Sequence, residues 1–180
     1  RDLASKVLQI DTIGLPTERG GRYFFTKRRA DQDLSVLYVR AGSRGEDRVL
    51  IDPHPMSPDH TTSVELRDVS RDGALIVYAV REGGVDEVSL HVMNVDTRTD
   101  LPDVLPAARY GEVNLTPAKQ GFYYERYGDV TPRVMYHQLG TDPSQDEMLF
   151  GEGYQLHQIP VTLLSEDGRW LLVHVIEGSS

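Results

Sequence analysis

A turn signal that recurs along the chain at a nearly constant interval constrains the fold more than any other feature. Residues 70–73 and 165–168 both read Ser-x-Asp-Gly and precede apolar runs, and weaker copies end at Gly21 and Gly121. The four glycines are 52, 48 and 47 residues apart. A period near 50 residues, built of short strand-like segments without a helical pattern, is typical of β-propeller blades rather than helical solenoids. The repeat therefore predicts a stack of blades.

Each full repeat divides into four predicted strands. We expect blades at about 8–55, 62–106 and 110–153, and a half blade at 157–180. The predicted strands are 8–13, 23–27, 36–40 and 48–51, then 62–69, 75–80, 88–95 and 101–105, then 112–115, 122–126, 134–139 and 147–150, and finally 158–164 and 170–176. The predicted fold class is therefore all-β, a β-propeller fragment with about three four-stranded antiparallel blades plus half of a fourth.

The second strand of a repeat carries the clearest burial signal. Residues 75–80 are all apolar, and residues 170–176 are apolar except at His174. A strand with one solvent-exposed face would alternate polar and apolar residues, so such apolar runs predict strands that are covered on both faces by neighbouring blades. The half blade at 170–176 would also leave apolar surface and unpaired strand edges exposed, which predicts self-association of the open fragment.

Charge and composition exclude several partners and suggest a compartment. A net charge of −9 opposes the counterion release that drives nucleic-acid binding. No apolar stretch approaches the roughly 18 residues of a membrane span. We therefore expect neither nucleic acid nor membrane as a partner. The absence of cysteine fits a reducing compartment, and the expected location is cytoplasmic.

Motifs that carry catalysis or bind cofactors are missing from the sequence. No G-x-S-x-G nucleophile elbow occurs, so we expect no catalytic residue in this chain. Gly151 and Gly153 begin a G-x-G without a third glycine or a following helix, and no cofactor is expected.

Two sets of polar residues are candidates for a metal site and for a pair of catalytic carboxylates. His54 and His60 share a proline-rich loop with two aspartates, but no metal-ligand spacing supports a site, and we interpret the loop as a connector without metal. The pairs at 86–87 and 146–147 supply adjacent carboxylates. Neighbours in a strand point to opposite faces, so we expect solvated turn acids there rather than a glycosidase pair.

Collinear motifs over nearly the whole chain resemble those of the prolyl oligopeptidase family. The family patterns include L-x-D-P, S-x-D-G, L-P-D-x-L, G-F-F-Y-x-R-Y and Y-x-H-x-L-G-T followed by Asp. The resembling segments are 50–53, 57–63, 70–73, 78–79, 83–86, 101–105, 121–127 and 136–146. Departures occur at His54 and His60, where Asn and Gly are usual, at Val85 and Glu87, where Ser and Trp are usual, and at 114–115. These departures affect loop conformation more than blade identity.

The resemblance implies a parent enzyme with a seven-bladed propeller that covers an α/β-hydrolase domain. Such an enzyme is a serine endopeptidase that cuts short proline-containing peptides, and its propeller acts as a size filter. The catalytic triad would lie in the hydrolase domain, outside this chain, so the chain alone would be inert. Its partners would be the peptide substrate, the missing propeller blades and the hydrolase domain.

Tyr110 is the one candidate substrate-facing residue that the resemblance supplies. It falls where the family carries an aromatic residue that approaches the substrate upstream of the cut. Its ring could pack on an apolar peptide side chain, or it could simply begin an inner strand.

Two other functions remain open from the sequence. A non-enzymatic propeller used as a binding scaffold would lack a downstream G-x-S-x-G in the full gene. A propeller glycosidase would need carboxylates on inner strands that converge on the propeller axis.

Overall fold

The computed structural model describes residues 10–85, 87–108, 111–127, 131–155 and 157–178, and this part of the chain is built from antiparallel sheets. Sheet 1 contains β1 (Thr12–Ile13), β2 (Thr17–Arg19), β3 (Arg22–Arg28), β4 (Val36–Ala41) and β5 (Asp47–Ile51). Sheet 2 contains β6 (Ser63–Val69), β7 (Leu75–Arg81), β8 (Glu87–Asn94) and β9 (Thr99–Ala108). Sheet 3 contains β10 (Val113–Leu115), β11 (Gly121–Tyr127), β12 (Pro132–Gln138) and β13 (Glu147–Phe150), and sheet 4 contains β14 (Gln158–Leu164) and β15 (Leu171–Glu177).

From β3 onward, the strands that follow one another within a sheet pair as a meander, and the predicted all-β class with three four-stranded blades and a half blade is confirmed. Within the described ranges the helical elements are two short 3₁₀ turns, His54–Met56 and Pro143–Gln145. No helix in those ranges has the length and apolar character needed to cross a membrane.

Sheet 1 departs from the predicted pattern at its first strand. Both β1 and β2 pair with the same edge of β3, so that two short strands share one strand position. Pro16 separates them, and a proline has no N–H to donate to the ladder. The sequence pattern predicted a strand at 8–13 and missed β2, because a three-residue strand after a proline has no periodicity to detect.

The Ser-x-Asp-Gly turns have the structure that their residues predict. Ser70 Oγ accepts the N–H groups of Ala74 and Leu75 at 3.1 and 2.9 Å, and Gly73 has a φ of +68°. The copy before β15 repeats this arrangement, because Ser165 Oγ accepts the Trp170 N–H at 3.0 Å and Gly168 has a φ of +70°. Positive φ values favour glycine, which explains why these two turns carry one. In the corresponding turn of sheet 3 the residue with positive φ is Lys119, at +56°, rather than Gly121.

The hydrophobic core lies between successive sheets. One cluster joins sheets 1 and 2 around Phe24, Leu37 and Ile76, and a second joins sheets 2 and 3 around Val77, Phe122 and Tyr124. Strand β7 contributes alternate residues to both clusters, so its run at 75–80 is covered on both faces as predicted.

The last hairpin is covered on one side only. β14 contacts β10, β11 and β12 of sheet 3, and its Pro160 and Thr162 are buried. Along β15 the burial alternates, and Leu172 is 62% exposed. Full burial of the run at 170–176 is therefore not observed within this chain, because no described sheet packs on its second face.

Candidate functional site at the converging first strands

The first strands of the sheets converge, and their side chains form a polar wall. β10 lies between β6 and β14. A cavity of about 270 Å³ opens along this line, and each of the four sheets contributes to it through a residue of a first strand. These four residues are Arg19 of β2, Arg67 of β6, Asn114 of β10 and Leu163 of β14. We name this surface the first-strand wall.

Charged side chains of both signs line the first-strand wall. Arg71 and Glu166, from the two Ser-x-Asp-Gly turns, form an ion pair at 3.6 Å that links sheets 2 and 4. Lys119, in the corresponding turn of sheet 3, forms an ion pair with Asp72. The three turns are therefore linked to one another at one end of the wall, where mixed charge favours neither anions nor cations.

Asp68 ties sheet 2 to sheet 3 within the wall. Its Oδ2 accepts the N–H of Leu115 at 2.6 Å, and Leu115 is the last residue of β10. Burial raises the pKa of the Asp68 carboxyl, since the backbone hydrogen bonds that favour the carboxylate only partly offset desolvation. The register of β6 shifts between Leu66 and Asp68, and this irregularity directs the Asp68 side chain towards sheet 3.

Glu125 ties sheet 3 to sheet 4 from the opposite end of β10. Its Oε1 accepts the hydroxyl of Thr162 at 2.5 Å, and its Oε2 accepts the N–H of Glu112. Asn114 extends the network, because it donates to Thr162 Oγ1 and accepts the Leu164 N–H, both at 3.0 Å. Burial raises the pKa of Glu125 to about 7, which places its titration near neutrality.

A fully buried histidine joins sheets 2 and 3 away from the wall. His137 Nε2 lies 2.9 Å from Asp103 of β9, and its Nδ1 lies 2.7 Å from Asp146. The ring therefore has a carboxyl group within hydrogen-bonding distance of each of its nitrogens. Tyr124 donates its hydroxyl to the other oxygen of Asp146 at 2.8 Å. The group is enclosed and serves as a link between sheets.

The carboxylate pair at 146–147 was expected to consist of solvated turn acids, and for Asp146 this was wrong. The Asp146 side chain has no exposed surface and binds both His137 and Tyr124. Two hydrogen-bond donors from adjacent strands explain how a carboxylate is stable there. Glu147 is exposed whereas the Asp146 side chain is enclosed, so the two carboxylates do not share one accessible glycosidase site. In the pair at 86–87, Asp86 lies outside the described residues.

The described residues do not assemble a serine nucleophile with a base and an orienting acid. The nearest approach is on β8, where Ser89 Oγ lies 3.1 Å from His91 Nε2. The neighbouring Asp100 instead accepts the hydroxyl of Tyr78 through both oxygens at 3.0 Å. Burial lowers the pKa of His91, and its ring stacks on that of Tyr78, its cross-strand partner in sheet 2. We interpret the contact as part of the packing of sheet 2.

His54 and His60 are brought together by their loop, with ring centroids 5.4 Å apart. Across the described ranges, no three or more His, Cys, Asp or Glu side chains converge as a possible metal-binding set. Tyr110, the candidate substrate-facing residue, lies outside the described residues. Its role stays a prediction.

Sequence reasoning missed Glu125 and the partnership of His137. A signal for Glu125 was present, since it is the one acid in the aromatic run 121–127 of a central strand. A carboxylate there must find buried donors. Its partner Thr162 lies 37 residues away, and nothing in a single sequence identifies such a pair.

Comparison with known proteins gives a consistent result. Residues 4–180 match the family model described as the prolyl oligopeptidase N-terminal beta-propeller domain. The chain is 28% identical over 174 residues to a prolyl endopeptidase of Elizabethkingia meningoseptica, covering 91% of this chain and 24% of that protein. It is 26% identical to prolyl oligopeptidase A of Galerina marginata, covering 85% and 24%. The chain thus spans about a quarter of the length of these curated relatives.

Solved structures agree with the observed fold. A structure from a mechanistic analysis of two prolyl endopeptidases superposes with a TM-score of 0.85 at 31% identity, covering 95% of this chain and 27% of that one. The apo structure of prolyl oligopeptidase B from Galerina marginata gives a TM-score of 0.81 at 23% identity, covering 99% and 29%, and supports the fold alone. The sequence match and the arrangement of the sheets together show that the chain belongs to the prolyl oligopeptidase family, as part of its N-terminal β-propeller domain.

Proposed function

We propose that this chain is the substrate-gating portion of a prolyl oligopeptidase-like serine endopeptidase that acts on short proline-containing peptides. The chain itself is non-catalytic in this proposal. The parent protein supplies the remaining blades and an α/β-hydrolase domain with the triad, and the propeller admits peptides by size.

The observation that carries the proposal is the first-strand wall. A cavity of about 270 Å³ with residues from all four sheets lies where the first strands converge. Its lining is polar and of mixed charge, which suits a passage for peptides of varied sequence better than a site for one ligand. Hydrogen bonds and ion pairs between the sheets hold the wall, so its width depends on how closely they pack.

The test compares two arginines in the full-length protein. Arg71 lines the cavity and pairs with Glu166, whereas Arg169 pairs with Asp167 inside its own turn and lies outside the lining. Arg71→Ala should raise kcat/KM for long proline-containing peptides several-fold, because it removes both a side chain and a link between sheets. Activity on a short peptide should stay the same, and Arg169→Ala should change neither rate. The gating role would be contradicted if Arg71→Ala changed kcat/KM by the same factor for long and short peptides, or if Arg169→Ala had the same effect as Arg71→Ala.

A second test separates the enzyme from a binding scaffold. The full coding sequence should contain a G-x-S-x-G motif after residue 180, and the full-length protein should cleave a proline-containing peptide in a reaction that a serine-directed inhibitor blocks. The 180-residue chain alone should show no cleavage. A full-length protein without that motif and without turnover would favour the scaffold.

The proposal extends to location and assembly. We place the enzyme in the cytoplasm, since a chain without cysteine needs no oxidising compartment, and fractionation of cells that express it tests this. We also propose that the isolated chain self-associates through the open face of sheet 4, whose exposed apolar residues include Leu163, Trp170 and Leu172.

A further inference from the structure

The loop between sheets 1 and 2 holds two histidine rings against each other. His54 begins the 3₁₀ turn after β5, and His60 lies shortly before β6. Their ring centroids are 5.4 Å apart and their planes are nearly perpendicular, at 85°. Neither histidine belongs to the hydrogen-bond network of the first-strand wall.

Each ring has a carboxylate on the same nitrogen. His54 Nδ1 lies 2.6 Å from Asp52 Oδ1, and His60 Nδ1 lies 3.4 Å from Asp33 Oδ2. A neutral imidazole that donates from Nδ1 has its lone pair on Nε2. Histidines that bind metals commonly donate their other nitrogen to a carboxylate in this way, because the contact fixes the tautomer and raises the basicity of the ligand.

The separation of the rings fits a shared ion. With Zn–N bonds of about 2.1 Å and a tetrahedral angle, the centroids of two imidazoles that share one zinc lie roughly 5 Å apart. The observed 5.4 Å and crossed planes are close to that arrangement. His54 Nε2 is buried and has no hydrogen-bond partner, so a cation there would satisfy an unpaired lone pair.

From this geometry we propose that His54 and His60 bind a divalent transition metal ion of the zinc class through their Nε2 atoms. Water fills the remaining coordination positions, because the loop provides two protein nitrogens. Binding is therefore weaker than at sites with three or four protein ligands. The ion would link the two ends of the connection between sheets 1 and 2 and stabilise it.

The loop backbone is already arranged for both ligands. His60 has a φ of +54°, a conformation that a non-glycine residue rarely adopts. Local hydrogen bonds fix this bend, since Asp59 Oδ1 accepts the Thr61 hydroxyl at 2.9 Å and Ser57 Oγ accepts the Thr62 N–H at 3.1 Å. The His60 side chain is 42% exposed, so its ring can turn to admit an ion.

The experiment titrates the full-length protein with Zn²⁺ by calorimetry, and with Co²⁺ by visible absorption as a report of ligand geometry. The variants His54→Asn and His60→Asn each remove one ligand, and asparagine tolerates the positive φ at position 60. Each should weaken Zn²⁺ binding at this site at least tenfold. His174→Asn, which removes an exposed histidine on β15, should leave binding unchanged.

Asp52→Asn supplies a test that keeps both ligands. Loss of the carboxylate behind His54 should weaken binding about 10-fold or more, as the removal of such supporting partners does at other metal sites. A change in Co²⁺ absorption on binding to the unmodified protein, reversed by added Zn²⁺, supports the site even if a ligand variant fails to fold. Unchanged Zn²⁺ affinity in both histidine variants, or the absence of Zn²⁺ binding and of a Co²⁺ spectrum, would overturn the proposal.

Discussion

Strands β7 and β15 have nearly the same sequence pattern and opposite surroundings. Each follows a Ser-x-Asp-Gly turn with the same hydrogen bonds and forms the second strand of its sheet. Ile76 and Val77 of β7 have no exposed surface, whereas Leu172 of β15 is 62% exposed. The difference comes from the neighbouring sheets, because β7 packs between two sheets, whereas sheet 4 packs on sheet 3 alone among the sheets that the structure describes. An uninterrupted run of apolar residues thus predicts a strand that is buried on both faces in the complete fold. Whether both faces are buried in this chain depends on the presence of an adjacent sheet on each side.

The outer face of sheet 1 offers a second contrast with β15. Phe25 and Tyr38 stack there with centroids 6.0 Å apart, and charged side chains cover both rings. Arg40 lies 5.2 Å from the Phe25 centroid and Lys27 lies 5.9 Å from that of Tyr38, while Asp47 pairs with both cations. Sheet 1 therefore shields its aromatic face with its own long side chains, and sheet 4 has no such cover.

The largest expected effect compares the two apolar strands directly. Ile76→Ala should lower the free energy of unfolding by about 3 kcal/mol, because it opens a cavity between sheets 1 and 2. Leu172→Ala should lower it by less than about 1 kcal/mol, since the side chain is already in contact with water. Urea denaturation of both variants measures the difference. Similar losses for the two would break the comparison.

A pH experiment tests the covered side of sheet 4. The pKa of Glu125 is raised to about 7 by burial, from an ordinary value of 4.5. Between these values the folded chain binds a proton that the unfolded chain has released, so stability falls as the pH rises from about 4.5 to about 7. The loss amounts to about 3 kcal/mol when complete.

Glu125→Gln should remove that part of the pH dependence, since an amide does not titrate. Denaturation midpoints at several pH values between 4.5 and 8 provide the measurement. Glu147→Gln, at an exposed carboxylate of β13, is the matched control and should leave the slope unchanged. A Glu125→Gln variant with the original slope would mean that Glu125 is not the titrating group.

A smaller effect compares the glycines of the two Ser-x-Asp-Gly turns. Both have positive φ, and a Cβ on Gly73 would lie 2.7 Å from the Arg19 carbonyl oxygen, whereas one on Gly168 would lie 2.6 Å from the Pro117 ring. Gly73→Ala should lower the free energy of unfolding by about 2 kcal/mol or more, because the backbone at Arg19 must move to admit the new Cβ. Gly168→Ala should lower the free energy of unfolding by about 1 to 2 kcal/mol, because the atoms nearest its Cβ belong to the half-buried ring of Pro117 rather than to a backbone carbonyl group.

Gly42→Ala separates conformation from crowding in this series. Gly42 has a φ of +65° and no atom within 4 Å of its would-be Cβ, so its variant should show the conformational cost alone, about 1 kcal/mol. Thermal unfolding of the three variants should give the order Gly73, Gly168, Gly42 from largest to smallest loss. Equal losses at all three positions would show that contacts between turns contribute nothing.

The features that could be predicted from the sequence are those set by residues close together in the chain. The glycine-centred turns and the β-branched runs identified the strands, and the collinear motifs identified the family. The links between sheets were out of reach because their members are distant in the chain, as with His137 and Asp103, which are 34 residues apart. Asp146 was misjudged for the same reason, since its burial depends on His137 and Tyr124 rather than on the turn in which it lies.

The open face of sheet 4 should affect association of the isolated chain more than its stability. Leu163 and Leu172 are directly paired across β14 and β15, and both are exposed, so the isolated chain should associate through this surface as its concentration rises. Leu172→Lys should weaken association at least tenfold, which corresponds to about 1.4 kcal/mol. Val49→Lys is the matched control, since Val49 is exposed on the face of sheet 1 that Lys27 and Arg40 already shield. Light scattering over a range of concentrations distinguishes the two. Because only the unshielded face should respond, a monomeric wild-type chain, or equal effects of the two lysines, would show that bare apolar surface does not distinguish sheet 4 from sheet 1.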